Sequence, residues 1–368
     1  MAETYSVYVG NKVGCESTTL EGLRVINYLL LNGHSVVENP REATHVVLNT
    51  CAFLPSHRKA IEERLAGLCA EAPEAQLVVM GCAGAIAPDI LLASRPVLVC
   101  GHRDLGRLDE LFFRLVRFEQ TPDYQFQESS ERVLVPIGRG CAQRCSYCSI
   151  KRSIGAIRSR PVDAIAGDFR RNVAFGKRRF LLAGDDLGSY GLDTGSSLAE
   201  LLSAIDDIPG EFSVLLGNIH PTWFLEYFGA IKAFLGSPHA SKWLFLPIQS
   251  ADQAVLKAMR RDYPIEKVSS AIEDLRRSVP GVRFYYDIMV GYPTEDDAAF
   301  GRTLDFIVRH PASCMTIARF SSEPGTDAAD LPTVDPQLIR KRAKELQATY
   351  AAAVHLDKSV KIARWGQD

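Results

Sequence analysis

Apolar residues recur along the chain with two periods. Short unbroken runs, "YSVYVGN" (5–11), "THVVLNT" (44–50), "AQLVVMG" (75–81) and "PVLVCG" (96–101), have the composition of strands buried on both faces of a parallel sheet. Between them "STTLEGLRVINYLLLNG" (17–33) and "PSHRKAIEERLAGLCAEA" (55–72) place apolar residues at helical spacing. The first of these ends at Asn32-Gly33, a helix stop. This alternation predicts a doubly wound α/β domain with a parallel sheet over residues 1–118.

The polar stretch "FEQTPDYQFQESSER" (118–132) follows, and residues 119–131 read as a linker. Alternation then resumes over 132–335. Candidate strands are "RVLVPIG" (132–138), "RRFLLAG" (178–184), "FSVLLGN" (212–218), "KWLFLPIQ" (242–249), "RFYYDIMVG" (283–291) and "CMTIARF" (314–320). Helical patterns lie between most of them, including 198–208, 251–261 and 268–279. Six β/α units predict a partial or full (β/α) barrel of the TIM type, whose chemistry gathers on the loops after the strand C-termini. The tail, 336–368, starts as a charged amphipathic helix and then stops.

Composition adds few constraints. With 46% hydrophobic and 23% charged residues, the 368-residue chain reads as an ordinary soluble protein of two domains. A formal net charge of −2 provides no global positive field for nucleic acid. The start "MAETYSVYVG" lacks the layout of a signal peptide, and no apolar run approaches the roughly 18 residues of a membrane span. A cytoplasmic location is expected, where thiols stay reduced, so the nine cysteines read as metal ligands or core residues rather than disulfides.

Cys141, Cys145 and Cys148 form C-x3-C-x2-C directly after the first strand of the second block. Gly138 and Gly140 let the backbone wrap closely there. A structural zinc ion needs a fourth ligand, and no further Cys or suitably spaced His follows before Arg160. A [4Fe–4S] cluster held by three thiolates instead keeps one iron open to a small ligand. The competing reading is a zinc knuckle, or buried cysteines without metal. Cys15, Cys51 and Cys82 each follow a predicted strand of the first block. Parallel strands open on one edge, so these three could converge on a second site; otherwise they are small buried hydrophobes. Cys69, Cys100 and Cys314 read as core, and His57 as helix surface.

The C-x3-C-x2-C loop with Tyr147 before its last cysteine resembles that of the radical S-adenosylmethionine (SAM) enzymes. The order "GC…NTCAF…GC" before such a barrel resembles the radical SAM methylthiotransferases, which modify transfer RNA or a ribosomal protein. The segments "LLAGDDLGSYGLD" (181–193), "FLPIQSADQAVLKAMRRDY" (245–263), "YYDIMVGYPTEDDAAF" (285–300) and "FSSEPGTDAA" (320–329) extend the likeness over nearly the whole chain. The resemblance implies a flavodoxin-like first domain, a radical SAM barrel, SAM and two [4Fe–4S] clusters. Cys141, Cys145 and Cys148 would hold the cluster that cleaves SAM to a 5′-deoxyadenosyl radical. Cys15, Cys51 and Cys82 would hold an auxiliary cluster that presents sulfur, which a methyl group from a second SAM joins in the methylthiotransferases. It also implies a reductase partner of flavodoxin or ferredoxin type.

Further candidates follow from position. Asp185 and Asp186 after the second barrel strand, with Gly184, Ser189 and Tyr190, are placed to contact SAM or substrate; the plain alternative is a solvated acidic turn. Gln249, Ser250 and Asp287 lie where ribose or methionine contacts are expected, and His220-Pro221 near the substrate. Arg158 and Arg160 resemble the family's "SRP" arginine and suit a SAM carboxylate.

Three features depart from the family. RNA-modifying members carry a C-terminal TRAM-type β-barrel, and this chain ends at Asp368, where it would begin. Asp185 replaces the family's Gln, and Leu215 and Leu216 stand where an arginine is usual. The expectation is therefore C–S bond formation on a small molecule, possibly nucleoside-like in chemistry, or on a peptide, in specialised metabolism such as antibiotic biosynthesis. The alternatives are methylthiolation of tRNA or ribosomal protein, and a two-cluster electron carrier or sensor.

Overall fold

The computed structural model describes residues 3–12, 16–52, 55–91, 94, 96–122, 132–357 and 360, with the side chains of 11, 12, 16, 17, 55 and 56 excepted. Backbone contacts divide the chain into two units. The first is Met1–Ser129 with Ser149–Ala156, and the second is Ser130–Cys148 with Ile157–Asp368.

The first unit runs β1 (Ser6–Lys12), α1 (Glu16–Leu31), β2 (Ser35–Val37), β3 (His45–Thr50), α2 (Pro55–Glu71), β4 (Gln76–Gly81), α3 (Ala83–Ile86), β5 (Leu98–Cys100) and α4 (Asp109–Phe112). All five strands pair in parallel in the order β2-β1-β3-β4-β5, the flavodoxin-like arrangement. Strand side chains alternate between two cores. Val47, Val78 and Met80 pack with Val25, Tyr28 and Phe112 on one face, and Val46, Leu48 and Val79 with Ile61, Leu65 and Leu68 on the other. This double coverage is why the strands read as continuous apolar runs.

Helix α1 stops as its sequence dictates. Gly33, at φ +76°, lets its N–H reach Leu30 O and the His34 N–H reach Leu29 O, closing a Schellman motif. Asn32 does more than stop the helix: its buried Oδ1 accepts the N–H groups of Arg114, Leu115 and Val116. Arg24 donates to Phe118 O and Thr121 O, so the chain stays ordered against α1 into the expected linker. Cys100 lies in the core, where burial lifts its thiol pKa to about 12. Cys69, expected in the core, is exposed, because the buried stripe of α2 is Ile61, Leu65, Leu68. His57 is half-buried rather than at the surface.

The second unit contains β6 (Val133–Pro136), β7 (Gly138–Arg139) and, beyond α5 (Ile150–Ile154) of the first unit, β8 (Arg158–Ser159). It continues with α6 (Val162–Ala174), β9 (Arg179–Ala183), α7 (Leu198–Asp206), β10 (Ser213–Leu216), α8 (Pro221–Glu226), α9 (Phe228–Gly236) and β11 (Trp243–Gln249). It ends with α10 (Gln253–Ala258), α11 (Ile265–Ser278), β12 (Arg283–Val290), α12 (Asp297–Arg309), β13 (Cys314–Arg319) and α13 (Pro336–Leu356). Six parallel strands form the runs β6-β9-β10 and β11-β12-β13, joined by the parallel bridge Asn218↔Phe245. Among the described residues no pairing joins β13 to β6, so the barrel is partial. β7 and β8 form a small antiparallel hairpin that the apolar pattern does not reveal.

Along β12 burial alternates: Phe284, Tyr286, Ile288 and Val290 are buried against helices, while Tyr285, Asp287 and Met289 are half-buried on the other face. Helix α11 packs through Val268, Ile272 and Leu275, all fully buried. Each contributes roughly 1.5–3 kcal/mol, more than the few tenths that separate most helix propensities, so packing decides this helix. Leu181, Leu215 and Trp243 form an apolar group with the partly buried Leu134, Tyr285 and Cys314. Cys314 is thus half-buried beside this core. Among the described residues no helix is long and apolar enough to cross a membrane.

Candidate functional site

The loop after β6 carries Cys141, Cys145 and Cys148, all half-buried. Gly140, at φ +91°, turns the chain, and its N–H donates to Asp185 Oδ2 at 2.7 Å. Downstream the loop is pinned at Ser146. Its N–H donates to Met259 O at 3.0 Å, its carbonyl accepts from Ala328 N at 2.9 Å, and its hydroxyl meets Ala258 O at 3.1 Å and Tyr292 Oη at 2.9 Å. One buried serine therefore fixes the backbone between two of the three thiols.

Residues after β9 hold the other end. Asp186, 4% exposed, accepts from the Ser189 hydroxyl at 2.6 Å and from the His220 and Gly188 N–H groups. Its Oδ2 lies 3.8 Å from Cys141 Sγ, and the Ser189 hydroxyl accepts from Ala142 N at 3.1 Å. Burial holds the Asp186 pKa above the carboxylate range, against these donors and Arg261. Asp185 is not a solvated acid: besides Gly140 it has Arg139 at 3.9 Å. Gly184 leaves room for Ile137 and Leu187, each 3.3 Å from where a Cβ would stand.

Several expected SAM contacts have other employment. The Arg160 guanidinium donates to Pro136 O at 2.6 Å and to the buried Asp168 at 2.7 Å, so it ties α6 to β6 and is not free for a SAM carboxylate. The Tyr190 hydroxyl donates to Arg160 O at 2.7 Å and is likewise a tether. Arg158 is exposed on β8. Gln249 lies at φ +69°, a strained conformation for a non-glycine residue, where the β11–β12 register shifts. Ser250 braces the next turn through Asp252 N and Thr303. Asp287 has a buried Oδ1 without a hydrogen-bond partner among the described residues, and burial raises its pKa to about 6.

Arg261 is the residue that reasoning from sequence passed over. It is 4% exposed, and its Nη1 lies 3.4 Å from both Cys145 Sγ and Tyr147 Oη. Nη2 donates to Pro247 O, and the guanidinium lies over the Tyr263 ring. Burial opposes its charge, but Tyr147, Tyr263 and Cys145 hold it protonated. Its direction comes from a Schellman turn ending α10: Arg260, at φ +55°, donates to Lys257 O, and the Arg261 N–H reaches Leu256 O. The arginine was visible in "AMRRDY"; its left-handed neighbour was not. His220 sits edge-on to Tyr263, 5.7 Å between centroids, with Nε2 buried and unpartnered among the described residues. Burial, then Arg261, pushes its pKa well below the usual value, so the imidazole is neutral.

In the first unit β3 and β4 end level, since Thr50 pairs with Gly81. Cys51 and Cys82 therefore leave adjacent strands side by side, 5% and 4% exposed. Gly81, at φ +92°, is obligatory: a Cβ would stand 2.3 Å from Thr50 O. The Cys82 N–H donates to Thr50 O at 2.9 Å, and the Thr50 hydroxyl joins Met80 O to Ala83 N. Lys12 of β1 pairs with Thr50 on the same edge, and Cys15 lies outside the described residues. This edge includes the β1/β3 switch point, where open α/β sheets bind ligands.

The donor set of the second unit fits an iron–sulfur cluster. The Gln143 N–H aims at Cys141 Sγ at 3.3 Å and the Arg261 guanidinium at Cys145 Sγ, the hydrogen bonds that thiolate ligands accept. Among the described residues no three His, Cys, Asp or Glu side chains converge on one ion-sized point. His220 Nε2 and Asp287 Oδ1 are buried polar atoms without a hydrogen-bond partner among the described residues.

Comparison with known proteins agrees. Residues 135–307 match the Radical SAM superfamily, and residues 7–101 match the Uncharacterized protein family UPF0004. The chain is 29% identical to the probable threonylcarbamoyladenosine tRNA methylthiotransferase of Pyrococcus abyssi, over 92% of this chain and 82% of that protein. It is 32% identical to the tRNA-2-methylthio-N(6)-dimethylallyladenosine synthase of a Roseiflexus species, over 92% of this chain and 75% of that protein. Among solved structures, the radical SAM methyltransferase TsrM of Kitasatospora setae superposes with a TM-score of 0.68 at 12% identity, over 88% of this chain and 75% of that one. This last likeness is one of fold alone. The chain belongs to the radical SAM methylthiotransferases, enzymes that form C–S bonds with SAM and two [4Fe–4S] clusters.

Proposed function

We propose that the enzyme transfers a methylthio group to an N6-modified adenosine of transfer RNA in the cytoplasm, with a flavodoxin- or ferredoxin-type reductase as electron source. The observation that carries this reading is the similarity, over 92% of the chain, to relatives named for that reaction. The expectation of a small-molecule or peptide substrate in specialised metabolism gives way to it. The physical objection from Asp185 also weakens, since Gly140 and Arg139 already balance that carboxylate.

In this reading Cys141, Cys145 and Cys148 hold the SAM-cleaving cluster, and Cys51 and Cys82, with Cys15, hold the auxiliary one. When bound, the first supplies the electron that cleaves SAM and the second supplies sulfur. Arg261 offsets the charge on Cys145, and Ser146 keeps the loop in register. Neutral His220, whose Nδ1 accepts from the Thr222 N–H, offers an Nε2–H donor, and the raised Asp287 a carboxyl, to a polar ligand such as SAM. Leu215 is buried with Leu181 and Trp243 in the apolar core.

The test is mass spectrometry of nucleosides from tRNA of a strain lacking methylthiotransferases, after incubation with reconstituted, reduced enzyme and SAM. The expected product is an adenosine derivative with a methylthio group in place of hydrogen. Unmodified tRNA alongside methylthiolation of free nucleosides would return the small-molecule reading.

A further inference from the structure

The turn between α6 and β9 carries a charge that neither the cysteine motifs nor the proposed chemistry uses. Residues 170–179, "RRNVAFGKRR", hold Arg170, Arg171, Lys177, Arg178 and Arg179 and no acid, in a chain whose formal net charge is −2. Gly176 sets the shape of the turn. At φ +82° its N–H donates to Val173 O while the Lys177 N–H reaches Asn172 O, a Schellman motif that ends α6. A Cβ on Gly176 would meet nothing within 4 Å, so the turn stands clear of the described residues around it. Phe175 is 71% exposed there, and Arg170, Arg171 and Arg178 are exposed with it.

Helix capping accounts for part of this charge and not for all of it. Cations suit a helix C-terminus, and Arg178 serves this one by donating to Val173 O and Lys177 O. Arg171 pairs with Asp168, a buried carboxylate that also holds Arg160. The Arg170 and Lys177 side chains take part in neither arrangement. The adjoining turn before β10, whose Gly210 lies against Val173, adds Asp207, Glu211 and an Asp206 that Ser237 and His239 engage. The five cations outnumber these acids and leave a positive surface with an aromatic ring in it.

We infer that this turn docks the phosphate backbone of the transfer RNA substrate. The inference rests on the proposed tRNA reading and supplies the local positive field that the net charge withholds. Guanidinium and ammonium groups bind phosphate oxygens, and an exposed aromatic ring gives an unpaired base a face to stack on. An anionic membrane attracts the same charges, but membrane-surface helices sink a whole apolar face into lipid. Helix α6 turns its own apolar face, Ile165, Ala166 and Phe169, into the protein core. Position agrees with docking. From Arg179 to Ala183 β9 covers about 13 Å, and the chain then enters the loop where Asp185 meets Gly140. A stem-loop with its tip at that end of the strands has its paired stem farther down the barrel wall, where the turn stands.

The experiment measures binding of unmodified tRNA to the reconstituted full-length enzyme by fluorescence anisotropy over a series of KCl concentrations. Arg170→Gln combined with Lys177→Gln is expected to weaken binding of every tRNA tested alike. It is expected to lower the slope of log Kd against log salt by about two, or about one for each cation removed. Phe175→Ala is expected to weaken binding with the slope unchanged. An unchanged slope in the double variant of a parent that methylthiolates tRNA overturns the inference and leaves the proposed function standing. A parent that neither binds nor modifies tRNA overturns both. Loss of binding to phosphatidylserine–phosphatidylcholine vesicles in the double variant, with tRNA binding unaltered, assigns the turn to a membrane and also overturns the inference. Should the double variant not fold, Arg170→Gln alone decides: a slope lower by about one supports the inference, and an unchanged slope overturns it.

Discussion

In the second unit three cysteines lie within eight residues on one loop, whereas in the first Cys51 and Cys82 are 31 residues apart and meet because β3 and β4 end level. The loop has no sheet register of its own. Its shape is imposed from outside by the Ser146 hydrogen bonds, the Gly140–Asp185 contact and the buried Arg261. The sheet edge takes its shape from strand register, and it tolerates no Cβ at Gly81. A loop site is therefore sensitive to side chains far away in sequence, and an edge site to backbone conformation beside the ligands. The proposed division of chemistry follows the same line, with the tunable guanidinium at the loop and the rigid scaffold at the edge.

The largest effect is expected from Arg261→Met. Losing a buried, paired guanidinium leaves Pro247 O and the Tyr147 hydroxyl without their donor, at a cost of about 3–5 kcal/mol in urea unfolding. Iron should fall in the loop site while the edge site keeps its own. Arg261→Lys should not rescue, since one ammonium cannot reach sulfur, hydroxyl and carbonyl together.

Gly81→Ala is the mirror experiment on the edge. The positive φ and the close Thr50 carbonyl together cost about 3 kcal/mol. SAM cleavage should persist and sulfur transfer should fall, as read by 5′-deoxyadenosine and methylthio product side by side. Equal loss of both products would erase the contrast between the sites.

Ser146→Ala removes one hydroxyl with two partners and should cost about 1–2 kcal/mol, with slower cluster reconstitution in the loop site only. The smallest effect concerns Asp287. Burial raises its pKa from 3.8 to about 6, so between those values the folded protein holds a proton that the unfolded chain has released. Stability of the apoprotein therefore falls as pH rises through that window and is level above it. Asp287→Asn should be more stable than the parent by about 1 kcal/mol at neutral pH and nearly equal to it near pH 4, in paired thermal melts.

Much of this architecture was legible because it rests on apolar runs. The strands of both sheets begin and end within about two residues of the patterns that announced them, since parallel strands covered on both faces leave no room for polar positions. What escaped was short or long-range. The edge strand Ser35–Val37 and the hairpin Gly138–Arg139 with Arg158–Ser159 are too brief to show a period. Arg160 was misread because its partner, Asp168, is a polar residue on the buried face of α6 beside Ile165 and Phe169, a signal present in the sequence but passed over. Cys69 stands four residues after Leu65 and eight after Ile61, so helical spacing admits it to the stripe, and only the packing of α2 shows it exposed. The conformations of Gln249 and Arg260, and the approach of His102 to Cys82, arise from tertiary packing and have no local signature.

The most direct test of two separate sulfur sites compares two variants by iron content and SAM cleavage: Cys141, Cys145 and Cys148 all changed to Ala, and Cys15, Cys51 and Cys82 all changed to Ala. The account predicts about eight irons per chain in the parent and about four in each variant. Only the first variant should lose 5′-deoxyadenosine formation, and only the second should form it without a methylthio product. Full iron content in the second variant, or loss of SAM cleavage from it, would contradict the account.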